Sequence, residues 1–187
     1  MSVQLLRRLF TVDEYYKLLE AGILTEDERV ELIRGEILKM SPISPSHAGC
    51  VKRLAELFIL GLAKTVTVGI QDPVRLNDNS EPEPDIALLQ RRPDFYRTQH
   101  PQPEDVFLLI EVADTTVKYD REVKIPLYAE NNIVEVWLVN LPQKCLEVYR
   151  QPTGNGYENV QTFQSGDTVT IQALPNVTFT VDEILGD

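Results

Sequence analysis

Three ionisable residues of this 187-residue chain are spaced so that they could act together on a phosphate ester. Asp85 directly follows Pro84 and heads a short apolar stretch, IALL. Glu111 lies near the end of VFLLIEV (Val106–Val112), whose other residues are all apolar. Such a run reads as a strand covered on both faces, and a carboxylate inside it is costly unless it is paired or bound to a metal. Two carboxylates on neighbouring strands would converge on one point, which suits Mg²⁺ or Mn²⁺ held by one or two carboxylates plus water. Lys124, on the helical stretch that follows, would point back over the strand ends and orient water or offset charge on the phosphorane. Asp85 and Glu111 as metal ligands with Lys124 as charge stabiliser are the parts of a metal-dependent phosphodiester hydrolase.

Each residue also has a plainer role to set beside this one. Pro-Asp is a common turn dipeptide, and what singles out Pro84-Asp85 is the strand after it and the later Glu111. Lys124 follows Asp120 by four residues, the spacing of an ordinary helical ion pair. Glu31 sits on an alternating strand that exposes charge on one face, and Glu36 competes with it for an auxiliary place near the metal. His47, at the start of a helix where N–H groups favour anions, reads first as an ordinary hydrogen-bonding histidine. His100 carries no signal, and Trp137 and Tyr128 read as core. Arg7-Arg8, Lys52-Arg53 and Arg91-Arg92 suit phosphate contacts or plain surface solubility equally well.

The elements that must position these residues can be traced along the chain. Thr11 with Glu14 forms a capping box that opens a helix over Val12–Glu20, stopped by Gly22. Arg29–Met40 reads as a hairpin turning at Arg34-Gly35. Ser44 or Ser46 caps a second helix that runs to about Lys64, with Val51, Leu54, Ala55, Phe58, Ile59 and Leu62 on one face. Thr65–Ile70 is strand-like, with Val74–Leu76 as its continuation, and Asp85–Leu89 is a short strand. Arg91–Asp105 is a long polar loop. Val106–Val112, a helix over about Val117–Asn131 and Ile133–Val139 make a strand–helix–strand crossover of the parallel kind. Pro126 in that helix removes one hydrogen bond and clashes with the carbonyl of Glu122, so a kink is expected beside Lys124. Short strands follow from Lys144, with a last helix over Val181–Leu185. The fold class is α/β or α+β with a mixed sheet. The chain reads as one domain over 1–187, a core over 1–140 with a C-terminal β extension over 141–187.

Composition narrows the class. With 43% apolar and 25% charged residues the chain is globular. No apolar run reaches the length of a membrane span, and MSVQLLRRLFTVDEYY has no secretory pattern, so a cytoplasmic protein is expected, with no membrane partner. Cys50 and Cys145 make no C-x-x-C pair and read as small core residues. The absence of G-x-G-x-x-G, G-x-x-x-x-G-K-[ST] and G-x-S-x-G argues against a nucleotide cofactor or a serine nucleophile. The net charge of −11, from 29 acids and 18 bases, opposes broad polyanion binding. It is unevenly spread, however: residues 1–124 hold 21 acids and 16 bases, and the last 63 residues hold 8 and 2.

At these motifs the sequence resembles the PD-(D/E)xK nuclease superfamily and, within it, the Uma-two family of restriction-endonuclease-like proteins. The matching segments are ELIRGEILKMSPISPSH (Glu31–His47), EPEPDIALL (Glu81–Leu89), VFLLIEVADTT (Val106–Thr116) and DREVKIPLYAENNIVEVWLVN (Asp120–Asn140), with weaker matches at LEVYR (Leu146–Arg150) and GDTVTI near Gly166. The resemblance implies a restriction-endonuclease-like core in which Glu31 precedes the sheet, Pro84-Asp85 is the PD half and Glu111 the acidic half. Ala113 stands where the superfamily has its lysine, and the Uma-two pattern has that lysine on the next helix, where Lys124 matches. The implied activity is Mg²⁺- or Mn²⁺-dependent hydrolysis of DNA phosphodiesters, with Glu31 as an auxiliary acid. Cutting both strands generally needs two sites, so a homodimer is expected, with β surface at Phe163–Leu174 and Val177–Phe179. Ala113 and the acidic balance keep two other readings open. One is a non-catalytic nucleic-acid-binding or protein-interaction module on a nuclease fold, the other a hydrolase of another phosphoester.

Overall fold

The computed structural model describes residues 6–25, 27–62 and 64–186. Helix α1 (Val12–Glu20) begins at the expected capping box, Thr11 accepting from the Glu14 N–H and the Glu14 carboxylate accepting from the Thr11 N–H. Strands β1 (Val30–Ile33) and β2 (Glu36–Lys39) form the expected hairpin as a separate antiparallel pair. Its two-residue turn has both φ values positive, 48° at Arg34 and 77° at Gly35, the geometry that matches strand twist in tight hairpins. Gly35 is required twice over. A Cβ there would lie 2.6 Å from the Leu9 Cβ, and its backbone is clamped between Phe10 and Asn79.

Helix α2 (Pro45–Leu62) is capped by Ser44, whose hydroxyl accepts from the His47 N–H at 3.1 Å. Pro45 takes the first helical position, where its missing N–H costs nothing. Its buried stripe is Cys50, Val51, Leu54, Ala55, Phe58 and Leu62. Ile59, expected on that stripe, is 43% exposed, because the stripe closes on Phe58 and Leu62 without it.

Six strands form the central mixed sheet in the order β3-β4-β5-β6-β7-β8: β3 (Val66–Ile70), β4 (Ile86–Gln90), β5 (Val106–Ala113), β6 (Glu135–Asn140), β7 (Cys145–Thr153) and β8 (Gly156–Phe163). Only β5 and β6 are parallel, joined by the expected crossover. Val74–Leu76 does not prolong β3. Gln71 adopts a left-handed φ of 54°, and the chain folds back as a loop in which Val74 and Leu76 donate to Pro82 and Ser80. The segment after Leu141 supplies β7 and β8 to this sheet. The β9 (Thr168–Ile171) and β10 (Leu174–Thr180) hairpin stands apart from it, followed by α5 (Val181–Leu185).

The sheet divides two apolar layers. Ile86, Leu108, Ile110 and Val112 pack toward α2, with Trp137, Phe179 and Ile184. Ala87, Leu89, Leu109 and Ala113 pack on the other face against the crossover residues Ile125, Leu127 and Tyr128. Both cysteines are buried and unpaired. Among the described residues no helix is long and apolar enough to cross a membrane.

Because the β1–β2 hairpin presents Glu31, its turn bears on the site below. Gly35→Ala forces a methyl group against Leu9 at a left-handed φ and is expected to cost about 1–3 kcal/mol. Urea unfolding measures this, and a midpoint equal to wild type would contradict the role given to the turn.

Candidate active site

The pairing of β4 with β5 aligns Ile86 with Ile110. The next antiparallel rung therefore sets Asp85, just ahead of β4, beside Glu111. Opposed residues of such a pair share a face, so the register itself brings the two carboxylates to one end of the sheet. Asp85 is 8% exposed and Glu111 3%.

The crossover supplies the lysine. After α3 (Val117–Tyr119) the chain makes a π-helical turn over Asp120–Lys124 before α4 (Ile125–Glu130). The Ile125 N–H reaches the Asp120 carbonyl, five residues back. The expected kink at Pro126 takes this form: the wider turn precedes the proline in place of a broken helix. Asp120 and Lys124 are both buried by it. The Lys124 ammonium lies 3.1 Å from Glu111 Oε1, 3.2 Å from Glu31 Oε2 and 3.3 Å from the Glu83 carbonyl. Asp120, four residues before it, accepts at 2.6 Å from the Thr116 hydroxyl.

Glu31 is buried, accepting from the Tyr119 hydroxyl at 3.1 Å and the Glu83 N–H at 3.3 Å. Glu36, its competitor, instead pairs with Arg7 away from the lysine. Tyr128, expected as core, is fully buried and also donates its hydroxyl to Glu111. Asp85 receives three donors: the Val112 N–H at 2.8 Å and His47 Nε2 at 3.0 Å on Oδ2, and the Gln71 amide at 3.0 Å on Oδ1. An ionised carboxylate only accepts, so Nε2 carries the proton. Among the described residues the buried His47 Nδ1 has no partner. Tyr128, Tyr119 and Gln71 had no sequence signal, since each sits in an unremarkable segment and acquires its role from contacts distant in the chain.

Electrostatics follow from this crowding. Glu31, Asp85, Glu111 and Asp120 line a cavity of about 640 Å³ together with Lys124 and His47. Burial pushes the Glu111 carboxyl well above its usual range, and the neighbouring Asp120 and Asp85 add to the rise although Lys124 opposes it. Asp120 is raised for the same leading reason. Burial alone would lower Lys124, but Glu111, Glu31 and Asp120 outweigh it and the ammonium holds its proton well above the ordinary lysine value. Burial likewise acts to raise Asp85, yet the His47 and Val112 hydrogen bonds hold it below the usual carboxylate range. His47 is raised by its hydrogen bond to Asp85, against its own desolvation.

The oxygen-rich donor set fits a hard divalent cation. Among the described residues no three His, Cys, Asp or Glu side chains group into a complete cage, but Mg²⁺ asks for only one or two carboxylates and keeps several waters. Asp85 and Glu111 are the pair placed to provide them. The unbalanced negative charge, visible in the raised Glu111 and Asp120, would be relieved by a cation.

A family model described as "Putative restriction endonuclease", Uma2, matches residues 12–182 of the chain. The fold is similar to the crystal structure of a "putative nuclease belonging to DUF820" from Anabaena variabilis, with a TM-score of 0.71 and 16% identity over 95% of this chain and 98% of that one. A likeness at that identity concerns the fold. No curated protein matches the sequence.

The His47–Asp85 pair sets a pH window. Asp85 is depressed, so its contribution to stability is present above the ordinary carboxylate value of ~3.9 and lost as pH falls through its folded value. His47 is elevated, so its contribution is full below the ordinary imidazole value of ~6.5 and lost as pH rises through its folded value. Wild type should exceed His47→Ala by about 1–3 kcal/mol between those limits, and the gap should narrow toward both ends. Urea midpoints measured across the range test this, and a gap independent of pH would contradict it.

Proposed function

Because this chain belongs to the Uma2 restriction-endonuclease family, we propose that it is a metal-dependent endonuclease hydrolysing DNA phosphodiester bonds. The observation that carries the reading is the buried lysine reaching Glu111 from the crossover, with Asp85 on the neighbouring strand. The likeness of fold to a protein described as a nuclease supports it.

In this reading Asp85 and Glu111 hold Mg²⁺ or Mn²⁺. The bound cation would supply a Lewis acid for the phosphoryl oxygen and make water a stronger nucleophile. Three donors take three of the roughly four lone-pair directions of Asp85, so one direction, on Oδ1, would be left to hold a cation. Lys124 would offset the charge that grows on the phosphoryl oxygens, a role that a preorganised cation performs best in a water-poor site. Glu31 holds the ammonium in place, and Tyr119 in turn orients Glu31. Tyr128 donates to Glu111, which limits the rotation of that carboxyl.

A non-catalytic module is the second reading, favoured by one specific observation: the side chains already satisfy one another, Lys124 with two carboxylates and Asp85 with three donors. Incubation with supercoiled plasmid and circular single-stranded DNA in Mg²⁺ or Mn²⁺ separates the two. Wild type should nick or linearise DNA, Asp85→Ala and Glu111→Ala should be inactive, and Lys124→Ala should lose about 10²–10³-fold in kcat, each variant being checked for folding by circular dichroism. Equal background with wild type and all variants, beside metal-independent DNA binding, would support the module. A homodimer is also proposed. Its surface would be the exposed edge strand β8, where Val160 is 51% exposed. Val169, Ile171 and Phe179, within the surface expected at Phe163–Leu174 and Val177–Phe179, are instead buried in the core. Light scattering should give twice the chain mass, and a monomer at all concentrations would count against it.

A further inference from the structure

The proposed catalytic groups lie on the floor of a walled cavity. One wall is β2 and the loop after it, with Leu38, Lys39, Met40 and Ile43; the other is α3 and the π-turn, with Lys118 and Val123. The first wall is held to β1 by the Arg29 guanidinium, which donates to the Ser41 carbonyl at 3.2 Å. It is tied to the end of the central sheet by the Ser44 hydroxyl, which donates to Asp114 at 2.7 Å. The floor is nearly closed to solvent, with Glu31 and Lys124 at 4% and Glu111 at 3% exposure.

A phosphate alone would leave most of this space empty, since about 640 Å³ falls in the range of pockets that enclose a whole small ligand. Beside the acids of the floor and wall, Asp114 and Glu122 among them, the lining has two further chemistries. Leu38, Met40, Ile43 and Val123 present apolar surface on which a base can lie, and Lys39 and Lys118 present exposed cations at the mouth for flanking phosphates. The Lys118 ammonium stands 3.9 Å from Glu122 with its side chain 85% exposed, so it is free to swing to a strand. A base that is stacked and paired must first be unpaired and unstacked to enter such a cavity, whereas one in a single strand, a loop or a flap enters without that cost. We infer that this site takes an unpaired nucleotide, and so acts on single-stranded nucleic acid or unpaired segments of a duplex in preference to continuous duplex. This rests on the nuclease reading for the reaction, though not for the binding.

The test measures binding and cleavage separately with wild-type protein. Fluorescence anisotropy in EDTA compares a labelled DNA single strand, the same sequence as a blunt duplex, and that duplex carrying an internal unpaired loop. The single strand and the looped duplex should bind about tenfold more tightly than the blunt duplex, the gain from one base seated on a side-chain surface. Ile43 is 42% exposed, so Ile43→Asp excavates no core and should bring single-strand affinity down to the duplex value. Lys39→Glu with Lys118→Glu should weaken all three. Cleavage in Mn²⁺ should follow the same order. Blunt duplex bound or cut as well as single strand, or no binding of any of them, overturns the inference. Selective single-strand binding with no cleavage supports the inference and sinks the nuclease reading, whereas efficient cleavage of blunt duplex does the reverse.

Discussion

A single buried ammonium draws together three parts of the chain that are distant in sequence. Lys124 touches Glu31 from the hairpin, Glu111 from the central sheet and the Glu83 carbonyl from the loop before β4. Two charges taken out of water repay their desolvation only when the geometry is good and the remaining hydrogen-bonding groups are satisfied. Tyr119 on Glu31 and Tyr128 on Glu111 provide that satisfaction. The hairpin, which belongs to no larger sheet, is thereby fixed over the end of the central sheet, and the cavity beneath it has a defined floor. Charge is nevertheless not balanced, since four carboxylates share one lysine. The excess shows in the raised Glu111 and Asp120, and makes the same groups that stabilise the fold a receptor for further positive charge.

The place of the lysine follows from the sheet. Residue 113 shares a face with Glu111, and that face is the apolar layer under α4, where Ala113 is fully buried among Leu109, Ile125 and Tyr128. A lysine at 113 would bury its long side chain in this layer, where a fully buried alanine now packs. From the π-turn, Lys124 reaches Glu111 directly. Pro126 contributes to this: it lacks the N–H that an α-helix would use there, and the wide turn before it takes up the mismatch. A residue that reads as a flaw in the helix therefore helps to bury both Asp120 and Lys124.

Those parts of the fold that depend on local rules were legible in the sequence. The Thr11–Glu14 box, the Arg34-Gly35 turn, the buried VFLLIEV strand and the crossover after it follow from capping, turn chemistry and apolar patterning. Asp85, Glu111, Lys124 and Glu31 stood out because a charged group beside apolar strands needs a partner, and the structure brings all four to one cavity. What was hidden depends on contacts between distant segments. Gln71 and Tyr128 differ in no local way from other loop and core residues, and only the pairing of β4 with β5 and the docking of α4 reveal them. Val74–Leu76 looked like strand because Val74 and Leu76 flank a charged Arg75 in strand-like alternation, but two apolar residues buried in a loop leave the same mark. Ile59 shows the converse, an apolar residue next to a helical stripe that the stripe did not need.

The global charge of −11 also takes a different meaning once the acids are located. In the last third of the chain, Glu135 is wholly buried and accepts from Arg150, Trp137 and the Gln172 N–H. Glu147 is buried against Arg121, Tyr149 and Asn140. These two carboxylates lock the β9–β10 hairpin and the π-turn to the sheet, and each is matched by an arginine at close range. A matched buried pair projects little field into solvent, so neither acid contributes its full charge to the potential that an approaching polyanion meets. The cations at the cavity mouth, Lys39 and Lys118, are exposed, and screening at physiological salt confines their influence to about 8 Å. The sign of the field at the mouth is thus set by the groups that line it and by any cation bound below, and the formal charge of the whole chain is a poor guide to what the site will accept.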